Sequence, residues 1–277
     1  MAFSHVNGQA IHYEDTGGAG LPVILGHGFL MDHEMFAPQV QALAPEFRII
    51  TWDARGFGLT EFDAEPFTYW DSARDCLAIL DHLGIHQAVV GGSQGGFIAL
   101  RAALLAPERV RALVLLNTQA GIEDPPTRDA YRALFDRWLT EGPVDDLAQT
   151  IASLMFNESD ENVRWIAKWR QRPKELLEQP VRCLLGREDL TDQLGRITCP
   201  AVVIHGTADV ALPLELAGPL AAGLSGCRGV VAIEGGSHAA NLTHPNQVNP
   251  QLLAFLRDVA EAAAVAPREQ ATSPIFQ

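Results

Sequence analysis

The sequence predicts an α/β protein with a doubly wound, mostly parallel sheet and a helical insertion. Short β-rich runs alternate with helical runs along most of the 277 residues. Repeated β-then-α order builds parallel strands joined by right-handed crossovers. The runs Val23-Ile24-Leu25, Ala88-Val89-Val90 and Leu113–Leu116 are apolar throughout instead of alternating. Central strands covered on both faces read that way. Between about Gly121 and Arg196 no convincing strand appears, and helical pieces are separated by Pro125-Pro126, Gly142-Pro143, Pro173 and Pro180.

The elements follow in order. Asn7-Gly8 signals a hairpin between Phe3–Val6 and Ala10–Tyr13. Strands are expected at Pro22–Leu25, Phe47–Trp52, Ala88–Gly91 and Val110–Leu116, with helices near Glu34–Leu43, Tyr69–Leu83 and Gln94–Leu105. After the insertion, Ala201–His205 and Gly229–Glu234 read as strands, and Pro213–Gly223 and Gln247–Ala264 as helices. This divides the chain into a core of residues 1–120 and 197–266, an insertion at 121–196, and a tail at 267–277 without periodicity.

Composition narrows the class. The chain is 47% hydrophobic and 19% charged, which excludes a disordered, collagenous or coiled-coil protein. Its formal net charge of −14 argues against nucleic acid or an anionic membrane surface as partner. No signal peptide and no transmembrane run are visible, and Cys76, Cys183, Cys199 and Cys227 show no paired spacing. A cytoplasmic protein with reduced cysteines is expected.

The strongest chemical signal is Gly91-Gly92-Ser93-Gln94-Gly95-Gly96, between an apolar strand and a helical run. G-x-S-x-G at such a junction is a nucleophile elbow, with glycines where side chains would clash and a serine in strained backbone geometry. Chance alone predicts about 0.06 such matches in a chain of this composition. A serine nucleophile needs a base and an orienting acid, which for this elbow follow as acid and then histidine after later strands. His238 lies just past the last strand, whereas His244 precedes Pro245 at a helix start and His205 belongs to a strand end. Asp209 follows Ala201–His205; the competing position after Leu116 offers Asn117-Thr118-Gln119 and no acid before Glu123. The catalytic set is therefore Ser93, Asp209 and His238. Two backbone N–H groups should hold the oxyanion. One is that of Gln94, and the other is that of Phe29, turned inward by Gly28 in Gly26-His27-Gly28-Phe29.

These pieces, with Asp53-Ala54-Arg55-Gly56-Phe57-Gly58, occur in the order of the α/β-hydrolase superfamily over nearly the whole chain. The chain resembles its capped esterase, lactonase and cofactor-free haloperoxidase-like members. Asp53 and Arg55 match a family loop that is usually structural, and Gln94 stands where haloperoxidase-like relatives often carry methionine. The resemblance implies a helical cap over the site, and the insertion's composition agrees. Phe135, Trp138, Met155, Trp165 and Trp169 are its candidate substrate contacts, and Trp165 and Trp169 share a helix face.

The expected function is hydrolysis of small to medium hydrophobic carboxylic esters or lactones through an acyl-enzyme, a small molecule being the partner. The same residues allow a cofactor-free haloperoxidase or perhydrolase, or a ligand-binding receptor on the hydrolase fold. No metal-ligand spacing and no nucleotide motif appears, so neither metal nor cofactor is expected. Oligomeric state is left open, a homo-oligomer included.

Overall fold

The computed structural model describes residues 2–265; the tail expected at 267–277 lies outside the described residues. Eight strands form one sheet in the order β1-β2-β4-β3-β5-β6-β7-β8. The Asn7-Gly8 turn joins β1 (Ala2–Val6) to β2 (Gln9–Asp15), both central residues having positive φ as such a turn requires. β2 then pairs antiparallel with β4 (Arg48–Trp52). From β4 onward every pairing is parallel, through β3 (Pro22–Gly26), β5 (Ala88–Gly92), β6 (Val110–Leu116), β7 (Ala201–Gly206) and β8 (Cys227–Ile233).

Burial follows position in the sheet. All five residues of β5 and all six of β7 are buried, because helices cover both faces there. β8, at the edge, alternates exposed and partly buried residues until Ile233. Among the flanking helices, α1 (Ala37–Leu43) packs on the last one, and α2 (Tyr69–His82) packs on α3 (Gln94–Leu105). Thr68 and Asp71 form a reciprocal capping box that starts α2.

The insertion runs between β6 and β7. It comprises α4 (Pro125–Glu141), α5 (Asp145–Phe156), α6 (Glu161–Arg170) and α7 (Glu178–Leu185), with short 3-10 turns between and after them. Past β7 come α8 (Ala217–Gly223), the four-residue α9 (Ala240–Thr243) and α10 (Pro245–Val265). The sequence gives no sign of α9, since four residues hold one turn and no periodicity. The helix expected from Pro213 begins only at Ala217, after a 3-10 turn over Leu214–Leu216. Among the described residues no helix is long and apolar enough to cross a membrane.

Candidate active site

Ser93 stands at the junction of β5 and α3, with its residue almost fully buried. The junction is tight enough to forbid side chains around it. A Cβ at Gly91 would lie 2.3 Å from the Val114 carbonyl oxygen, and one at Gly95 2.2 Å from that of Gly26. The sequence places the strained conformation on the serine. The structure puts a positive φ of 142° on Gly92, and Ser93 itself stands at φ −87° and ψ −91°, outside the helical and extended regions. Glycine takes the positive φ without penalty.

Asp209 and His238 come from the loops after β7 and β8. Those loops are stitched together: Ala208 N–H donates to Gly236 O, Thr207 N–H to Ile233 O, and Gly235 N–H to Thr207 Oγ1, each at 2.9 Å. Gly206 backs onto the second loop, where a Cβ would lie 2.1 Å from the Gly236 oxygen. This brings Asp209 Oδ2 to 2.9 Å from His238 Nδ1. The other carboxylate oxygen accepts from the N–H groups of Ala211 (3.0 Å) and Leu212 (2.8 Å).

Burial alone would raise the Asp209 pKa. The His238 charge, with hydrogen bonds from His205, His238 and Leu212 N–H, outweighs it and holds the carboxyl well below the usual range. Burial alone would likewise lower the His238 pKa, but the Asp209 charge and hydrogen bond raise it above its ordinary value. The pair is therefore set as carboxylate and readily protonated imidazole.

Asn117, which the sequence offers only as a non-acid after β6, is part of this cluster. Its side-chain amide donates to Asp209 Oδ2 at 2.8 Å and to Ser237 O at 3.1 Å, and its backbone carbonyl accepts from Ser93 Oγ at 3.5 Å. Asparagine suits the place because its φ is 43°, in the left-handed region. His205 is buried and donates from Nε2 to Leu212 O at 2.7 Å, lying beneath the acid.

Ser93, Gln94, Phe29 and His238 line one cavity of about 110 Å³. Its walls are mostly apolar, with Leu134, Phe135, Ile151 and Met155 contributed by the insertion. Glu123 also faces it, paired with Arg187. Of the expected substrate contacts, Phe135 and Met155 are at this cavity. Trp138, Trp165 and Trp169 are not: they border a second cavity of about 480 Å³ at the junction of insertion and core. Trp165 and Trp169 do share a helix face, but that face packs on Phe156, with centroids 6.3 and 6.4 Å away.

The Gly28 loop also departs from expectation. The positive φ lies at Leu30 (62°), while Gly28 sits close against methionine side chains, a Cβ there falling 3.1 Å from Met31 Sδ. His27 is a strut: Nδ1–H donates to Gly28 O at 2.7 Å and Nε2 accepts from Ala54 N–H at 3.0 Å. Burial lowers its pKa, in keeping with a neutral ring.

Among the described residues, one group could be considered for a metal ion. His12, His33 and Asp53 offer ligand atoms within 4.8 Å of one another. Their geometry is already that of hydrogen bonds. His12 Nδ1 lies 2.8 Å and His33 Nδ1 2.9 Å from the carboxylate, which also accepts the N–H groups of His33 and Leu59. Asp53 thus ties β2 and the loop after β3 to the end of β4, the structural part its motif suggests.

A profile of the alpha/beta hydrolase fold matches residues 22–245. Over 89% of its length the chain is 31% identical to a putative non-heme chloroperoxidase of a Synechocystis species, covering 95% of that protein. An esterase from Thermogutta terrifontis superposes with a TM-score of 0.81 at 29% identity, covering 94% of this chain and 97% of that one. The enol-lactonase of Burkholderia xenovorans does so with 0.84 at 27% identity, covering 92% and 99%. With the profile spanning most of the sheet, and a relative 31% identical over nearly its whole length, the chain belongs to the α/β-hydrolase family.

Proposed function

We propose that the chain is a serine hydrolase of carboxylic esters or lactones, with Ser93, His238 and Asp209 as its catalytic triad and the insertion as its cap. The observation that carries this is the buried Asp209 carboxylate, 2.9 Å from Nδ1 of His238, a histidine that lines the same cavity as Ser93.

Asp209 accepts the Nδ1 proton and so fixes the tautomer in which Nε2 is the base. Ser93 Oγ attacks the carbonyl carbon while His238 Nε2 takes the hydroxyl proton. The oxyanion forms against the N–H groups of Phe29 and Gln94, the latter also opening α3 where the helix dipole favours negative charge. Collapse breaks the bond to the leaving oxygen, which receives the proton from His238. Water then repeats the sequence on the acyl-enzyme, with His238 as its base, and releases the acid. A mostly apolar cavity of about 110 Å³ is small for a ligand pocket and favours short acyl groups.

The chloroperoxidase relative supports a second reading on the same residues. Hydrogen peroxide in place of water would attack the acyl-enzyme and release a peracid.

A p-nitrophenyl ester series from acetate upward, assayed with wild type and Ser93→Ala, tests the proposal. Wild type should prefer short chains, and the variant should lose about 10⁴-fold or more of kcat. Equal activity in both proteins would overturn it. Peracid formation from acetate and peroxide, exceeding ester hydrolysis, would favour the second reading.

A further inference from the structure

The loop after β3 contains a turn that its own sequence does not favour. Met31 N–H donates to Gly28 O at 3.1 Å, which closes a four-residue turn with Phe29 and Leu30 at its centre. Leu30, at the third position, has φ 62°. A positive φ at that position ordinarily calls for glycine or asparagine, and a leucine keeps it only where the surroundings impose it.

Helix α6 supplies such surroundings. Trp169 Nε1–H donates to the Leu30 carbonyl at 2.7 Å in a buried setting. The indole cannot drift, since Trp138 meets it edge-on at 5.8 Å and Phe156 stacks on it at 6.4 Å. The same helix holds the next part of the loop: Lys168 Nζ lies 2.6 Å from Asp32, and Arg164 donates to Glu34 at 2.9 Å. The Leu30 carbonyl would change direction if the residue returned to negative φ. Phe29, one residue earlier in the same turn, borders the cavity beside Ser93.

We infer that Trp169 is a positioning residue for the oxyanion hole, acting through the Leu30 carbonyl to hold the turn that aims Phe29 N–H. This rests on the serine-hydrolase reading. The insertion then does more than cover the cavity, because one of its tryptophans sets a donor that works on the reacting oxygen. Trp165 provides the contrast, its Nε1–H donating within α6 to Glu161 at 3.0 Å.

The test compares Trp169→Phe with Trp165→Phe, each keeping an aromatic ring and losing one indole N–H. The readouts are the labelling rate of Ser93 by a fluorophosphonate and kcat and KM on a short p-nitrophenyl ester. Trp169→Phe should slow both labelling and kcat about tenfold, with KM within about twofold, less than the loss of a whole oxyanion donor. Trp165→Phe should stay within about twofold of wild type. Equal rates for the two variants, or a Trp169→Phe effect confined to KM, would overturn the inference. A wild type that does not label would overturn the serine reading beneath it, and the inference with it. If Trp169→Phe is poorly folded by thermal melting, the double variant Leu30→Gly/Trp169→Phe decides. Glycine holds the left-handed conformation unaided, so labelling should recover; a double variant as slow as the single one would sink the idea.

Discussion

Sheet and insertion place their functional side chains by different means. Ser93, Asp209 and His238 each lie within a few residues of a strand's end, where parallel neighbours and close backbone approaches leave little freedom. Side chains of the insertion depend on how four helices dock. Phe135 faces the Ser93 cavity, while Trp138, three residues on in the same helix, faces the second cavity. The two regions also meet through backbone groups. Ala239 N–H, beside His238, donates to Met155 O at 2.9 Å, and Tyr131 OH donates to Ala211 O beside Asp209 at 2.9 Å. On the proposed reading the chemistry resides at the sheet's strand ends, and the insertion bears on it by shaping the cavity and by touching the loops.

The largest effect expected in the sheet beyond Ser93 itself is that of Asp209→Asn, with kcat falling by about 10⁴-fold through the wrong histidine tautomer. The pH profile sharpens this. His238 must be neutral to act as base, and Asp209 raises its pKa, so the acid limb of kcat/KM in wild type lies above the ordinary 6.5. Without that carboxylate, burial dominates and the limb moves to lower pH. An unmoved limb in the variant would remove Asp209 from its assigned place.

Asn117→Gly comes next. Glycine accepts the φ of 43°, so the change deletes the side-chain amide, which donates to Asp209 at 2.8 Å and to Ser237 O at 3.1 Å. The two backbone donors and His238 remain, so kcat/KM should fall about tenfold, with about 1–2 kcal/mol lost in urea denaturation. A change below twofold in rate would make Asn117 a packing residue.

These two sites differ in how far the sequence reveals them. Ser93 is legible because an elbow demands glycines at fixed spacing, and Asp209 and His238 because strand order dictates where an acid and a base can stand. The central strands and α3 are legible to within a residue or so, since apolar runs and a helix start coincide with junctions. Asn117 is hidden because its role depends on β6 lying beside β7, a pairing that no local pattern states. The tryptophans mislead for a related reason: residue type and helical spacing give a shared face but not the object it meets.

In the insertion, Phe135→Ala should shift chain-length preference more than overall rate. Removing the ring enlarges the cavity, so kcat/KM for acetate should fall about threefold while that for longer esters rises. Trp138→Phe, at the other cavity, should leave the preference unchanged. Matching shifts in both variants would mean that the two cavities act as one site, and the contrast drawn above would fail.

Tyr131→Phe probes the weakest link between the regions. The hydroxyl donates to Ala211 O, two residues past Asp209, yet the acid is already held by Ala211 and Leu212 N–H and by Asn117. One neutral hydrogen bond should therefore cost about 0.5–1.5 kcal/mol in stability and less than about threefold in kcat. A tenfold loss of kcat at unchanged stability would show that the acid loop, like the Leu30 turn, takes its working conformation from the insertion. The division between a sheet that fixes geometry and helices that shape space would then hold for Ser93 alone.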